Sequence, residues 1–76
     1  MENYCTKDIS IAAYLYASHK NLAQLKNDND KRVVFIFEDG PDCEKLVKLY
    51  WKREGSIIPK DFADGLRSIK DMLFKK

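Results

Sequence analysis

Val33-Val34-Phe35-Ile36-Phe37-Glu38-Asp39-Gly40-Pro41 decides how this chain folds. Five β-branched or aromatic residues in succession predict a strand, and the acidic pair and Gly-Pro that follow end it. Val33, Phe35 and Phe37 point to one side and Val34 and Ile36 to the other, so both faces are apolar and a hairpin with one wet face does not account for them. Something must cover each side.

Working outward, Asn27-Asp28-Asn29-Asp30 concentrates residues that tolerate left-handed backbone and cap turns, which makes it a hairpin connection. Leu22 to Lys26 is then the partner strand. On the other side, Pro41 suits the first turn of a helix and Asp39 or Asp42 its positive end. Cys43, Leu46, Val47 and Tyr50 recur at three- and four-residue spacing and define a buried stripe flanked by Leu49 and Trp51, with Gly55 as the stop. Ser56-Ile57-Ile58 is extended ahead of Pro59, as a short third strand or a plug of the core, and Ile57-Ile58 is expected to pack at the sheet edge. Pro59 opens a last helix on which Phe62, Leu66, Ile69 and Leu73 form an amphipathic stripe, and Gly65 either permits close approach of another backbone or is a tolerated blemish in the helix.

Ahead of the hairpin, Thr6 is the expected cap of a helix running from Ile9 to Ala17, with Asp8 in its first turn. Of those residues only Ser10 is polar. An ordinary surface helix has a polar back, so this one is either enclosed by its own small domain or covered by a second chain. The fold class is therefore α+β, a single domain over residues 1–76 of order α-β-β-α-α, its hairpin packed against helices. Ile9, Ala13, Phe35, Phe37, Leu46, Tyr50, Phe62, Leu66 and Ile69 are its expected core.

Tyr14-Leu15-Tyr16-Ala17-Ser18, then Val33 to Asp39, then Tyr50-Trp51-Lys52 and Phe62-Ala63-Asp64-Gly65-Leu66-Arg67, taken in that order, resemble a family of short bacterial and phage-encoded proteins grouped as a domain of unknown function. Its members pair an F-x-F-E-D strand end with a following aromatic-Trp helix. The resemblance runs over roughly residues 9 to 74 and implies a fold and a bacterial or phage origin. It carries no assigned activity and transfers no functional residue.

With 76 residues, about 63% of the unfolded chain's surface can be buried on folding, which allows one thin core. Fourteen Lys plus Arg against twelve Asp plus Glu leave a formal charge of +2, too small by itself to point to nucleic acid. No apolar run approaches the ~20 residues of a membrane span, and the N-terminus lacks a secretory pattern, so a cytoplasmic protein without membrane association is expected. Cys5 and Cys43 are expected as free thiols there.

No residue set predicts catalysis, and no cofactor or metal is implied. Lys45, Lys48 and Lys52 fall on one helical ridge, extended by Arg53 and close to Trp51, and could track a phosphate backbone. The alternative is a solvated face whose cations complement the helix C-terminus, with Glu44 pairing to Lys48. Glu38, Asp39 and Asp42 are read as turn and capping residues without the second acidic motif a metal-dependent nuclease would need. His19 is read as a helix-end residue, and Cys5, His19 and Cys43 lack zinc-ligand spacing. Cys43 is read as a small buried apolar residue.

The surplus of apolar side chains on the first helix and on the back of the strand makes Ile11, Leu15, Val34 and Ile36 the candidate interface. The function expected from the sequence is a non-catalytic interaction module that binds itself as a homodimer or docks on a larger protein. A nucleic-acid-binding accessory protein is the alternative.

Overall fold

A computed structural model describes residues 2–27 and 32–74. The element order is β1 (Tyr4–Thr6), α1 (Ile9–Ala17), β2 (Leu22–Asn27), β3 (Val33–Phe37), α2 (Gly40–Trp51) and α3 (Pro59–Phe74). The α+β class and the succession of helix, hairpin and two helices are those read from the sequence. The structure adds a strand in front of them.

β3 is the middle of a three-stranded antiparallel sheet of order β1-β3-β2. Tyr4, Cys5 and Thr6 pair with Phe37, Ile36 and Phe35. On the other side Leu22 pairs with Phe37, and beyond an irregularity at Ala23 the register runs from Gln24 opposite Ile36 to Asn27 opposite Val33. The third strand is therefore the N-terminal one, and the expectation that Ile57-Ile58 packs at the sheet edge is wrong. That segment links α2 to α3, with Ile57 half-buried and Ile58 exposed. The chain reversal expected around Asp28-Asn29-Asp30 lies outside the described residues.

The inner face of β3 and the middle of α1 make most of the core. Phe35 and Phe37 are 1% and 0% exposed, and they cluster with Ile11, Ala12, Ala13, Tyr14, Leu15, Cys43, Val47 and Ile69. Five successive buried residues on α1 are what an element enclosed on several sides requires. α1 packs most extensively on α3 and also touches α2 and β1. Its near-absence of polar residues is thus explained within one chain. Ala13 and Ile69 are fully buried, whereas Ile9, Leu46, Tyr50, Phe62 and Leu66 pack against the core while still partly exposed.

The α1–α3 approach rests on small residues. A Cβ on Gly65 would lie 3.0 Å from the Ala13 carbonyl oxygen and 3.4 Å from the Ala17 Cβ, so the glycine admits a neighbouring helix and is not a mere blemish in the stripe. Left-handed backbone falls elsewhere: His19, Asp39 and Arg53 have φ of 68°, 64° and 62°. His19 closes α1, with its N–H donating to the Tyr16 carbonyl and that of Lys20 to the Leu15 carbonyl. Arg53 and Glu54 close α2 in the same way onto Tyr50 and Leu49. The stop of α2 is therefore Arg53, not Gly55. The cap of α1 is Asp8, not Thr6: the Asp8 carboxylate accepts from the N–H groups of Ser10 (2.8 Å) and Ile11 (3.2 Å), while Thr6 Oγ1 accepts from the Asp8 N–H.

Candidate functional site

In an antiparallel pair, directly opposed residues project from the same face of the sheet. Ile36 therefore shares the outer face with Cys5 and Gln24, and Val34 with Lys26. Cys5, Gln24 and Lys26 are exposed, and Val34 and Ile36 stay half-buried while Phe35 and Phe37 vanish into the core. The outer face thus has an apolar centre and a short polar surround. The chain as a whole exposes 5591 Å², against roughly 4,800 Å² for a compact monomer of its mass.

The four residues expected to form an interface separate here. Ile11 is 5% exposed and Leu15 0%, both inside the α1 core, so neither is available to a partner and that part of the expectation is corrected. The physical reason is that α2, α3 and β1 together enclose α1. Val34 and Ile36 remain at the surface.

The edges of the sheet differ from its face. β1 offers three residues, and β2 carries the Ala23 irregularity and an outward lysine. Short strands, bulges and lysines are the devices that discourage strand addition at an edge.

Lys45, Lys48 and Lys52 are all exposed on or just beyond α2, and Arg53 follows them in left-handed backbone. Trp51 is 66% exposed and meets the Tyr50 ring edge-on with centroids 5.3 Å apart. The acidic residues at the start of α2 serve a local purpose. Lys20 forms an ion pair with Asp42 and lies 3.9 Å from Asp39. A hydrogen bond from Lys20 holds the Asp42 carboxyl below the usual range and raises the Lys20 ammonium. Glu38 accepts from the Asn21 side chain at 2.9 Å. These contacts tie the loop after α1 to the β3–α2 junction.

The two cysteines are free and unlike each other. Cys5 is exposed on the outer face, whereas burial pushes the Cys43 thiol up, and its Sγ lies 3.4 Å from the Glu38 carbonyl oxygen. Among the described residues no three His, Cys, Asp or Glu side chains are grouped as metal ligands. Among the same residues no helix is long and apolar enough to cross a membrane.

Tyr14, Tyr50, Arg53, Gly55, Ile57 and Phe62 line an open pocket of about 270 Å³ between α1, the end of α2 and the start of α3. Residues of three elements and a loop meet there, and no spacing within one element signals it. The only local hint is the aromatic content of Tyr14 and Tyr50.

Comparison with curated proteins and with solved structures gives no match. Residues 1–75 match the family described as Domain of unknown function (DUF5659), and the chain belongs to that family.

Proposed function

We propose that this DUF5659 member is a non-catalytic interaction module of bacterial or phage origin, working in the cytoplasm, which pairs with a second copy of itself through the outer face of its sheet. The observation that carries this reading is the half-buried Val34–Ile36 centre on the outer face of the sheet, beside protected sheet edges. A two-fold pairing brings one patch onto its own copy, so the centre of each face meets the centre of the other. Stacked sheets pack about 10 Å apart with interdigitating side chains, which suits two branched residues per copy. So small a centre supports weak, concentration-dependent association.

Sedimentation velocity over a wide concentration range tests it. The weight-average sedimentation coefficient is expected to rise with concentration in the native chain and to stay at the monomer value in Ile36→Lys and Cys5→Arg. The second variant adds a charge at an exposed position and leaves the core untouched. A short bismaleimide should join two copies through Cys5. A native chain that remains monomeric at every concentration overturns the reading, as does a Cys5→Arg variant that associates like the native chain.

The exposed Trp51 beside Lys48 and Lys52 favours a second reading, contact with a single-stranded nucleic acid, in which a base stacks on the indole and the cations follow the phosphates. Affinity for an oligonucleotide should then fall steeply with added salt and fall further in Lys48→Ala and Trp51→Ala. Absent or salt-independent binding removes it.

A further inference from the structure

We infer that the pocket between Tyr14, Tyr50 and Phe62 is a binding site for a small aromatic carboxylate. Tyr14 is only 4% exposed, and its hydroxyl has no hydrogen-bond partner among the described residues although it lies beside the pocket wall at Gly55. No side-chain oxygen or nitrogen that is fully sealed from solvent lacks a partner among those residues, so this hydroxyl still reaches the open space. A phenol hydroxyl that faces the pocket without a protein partner is placed to donate to a ligand acceptor in place of water.

Gly55 is what keeps the space open. A Cβ there would stand 2.9 Å from the Tyr14 hydroxyl and 3.0 Å from the ring, filling the approach to both. The φ of Gly55 is not positive, so glycine is not required there by the backbone. Its use is the room it leaves.

The remaining walls define the ligand. Tyr14 and Tyr50 meet with ring centroids 5.3 Å apart at 49°, and Phe62 and Ile57 complete the apolar side of an open pocket on which a flat ring can lie. Arg53 supplies the charge. Its guanidinium is exposed, belongs to the same pocket and has no ion pair among the described residues. A guanidinium offers a fork of donors that matches a carboxylate, and the phenol supplies a further donor. An apolar cavity of about 150 Å³ already takes benzene. The open pocket here, at about 270 Å³, has room for one ring and its carboxylate.

The test uses the intact chain titrated with phenylacetate and with its neutral counterpart phenylacetamide, followed by amide chemical shifts. Shifts are expected to concentrate on Tyr14, Arg53, Gly55, Ile57 and Phe62, with the amide at least about tenfold weaker, as loss of a charge-assisted contact implies. Arg53→Asn keeps a residue that tolerates left-handed backbone and should weaken phenylacetate about tenfold. Tyr14→Phe keeps the ring and should weaken it about threefold, the scale of one neutral hydrogen bond. An unchanged spectrum outside the pocket in both variants shows that the fold is intact. Shifts that are absent or scattered, equal binding of acid and amide, or full affinity in Arg53→Asn would each overturn the assignment.

Discussion

β3 presents the same kind of residue to both sides and meets opposite fates. On the inner side Phe35 and Phe37 are sealed by α1 and its neighbours; on the outer side Val34 and Ile36 stay half-buried, opposite Lys26, Gln24 and Cys5 across the strands. Hydrophobic character alone does not decide burial. The number of elements placed above a face does, and three helices in so short a chain are spent on one face and on one another.

The sharpest way to break this contrast is to empty the inner face. Phe35→Ala should cost about 3–5 kcal/mol, and a chain of this length has roughly 4–11 kcal/mol in all, so the variant should be largely unfolded or close to it by chemical denaturation. Val34→Thr, next to it on the outer face, should cost no more than about 1 kcal/mol, because its hydroxyl can reach water. Equal losses at the two positions would mean that the outer face is packed as tightly as the inner.

A second substitution tests what holds the cover in place. Gly65→Val should push α3 away from the Ala13 carbonyl oxygen, at a cost of about 1–3 kcal/mol from overpacking, seen as a lower denaturant midpoint. An unchanged midpoint would show that α1 and α3 can separate freely.

The smallest effect concerns the rim of the covered side. Asp42 has its carboxyl lowered from 3.8, so its stabilisation is fully present above that ordinary value and is lost as pH falls through the lowered one. Lys20 has its ammonium raised from 10.5, so its share is present below that value and is lost as pH rises through the raised one. Both groups meet solvent, and salt screens the pair, so the change in midpoint at either limb should be slight. Asp42→Asn should flatten the acid limb, a difference readable from thermal midpoints measured across pH at low salt.

Much of the architecture was legible because it rests on local pattern. The stripes of α2 and α3, the β3 run and the Pro41 and Pro59 starts all depend on neighbours within a few positions. β1 was not legible: Tyr4-Cys5-Thr6 is too short to show a period, and it becomes a strand only because β3 has a free edge to offer. The helix stops misled for a related reason. Glycine is the usual left-handed residue, yet here His19 and Arg53 take those positions, while Gly55 and Gly65 serve close approach between elements distant in sequence. Of the candidate surface, Val34 and Ile36 could be named from alternation, but Ile11 and Leu15 could not be told from them without knowing where the helices pack. The Tyr14 pocket left no trace beyond its aromatic residues, because its walls come from residues up to α3 that only the fold assembles.

By itself, then, the sequence determined the three helices and the β2–β3 pair, that the chain belongs with α+β folds, and that it carries an apolar surplus, since periodicity and turn chemistry act over a few bonds. Only the tertiary structure decided where that surplus lies. Burial is set by which elements stack on which face, and stacking is a contest among long-range contacts: α3, α2 and β1 close over α1 and leave the back of β3 half-buried.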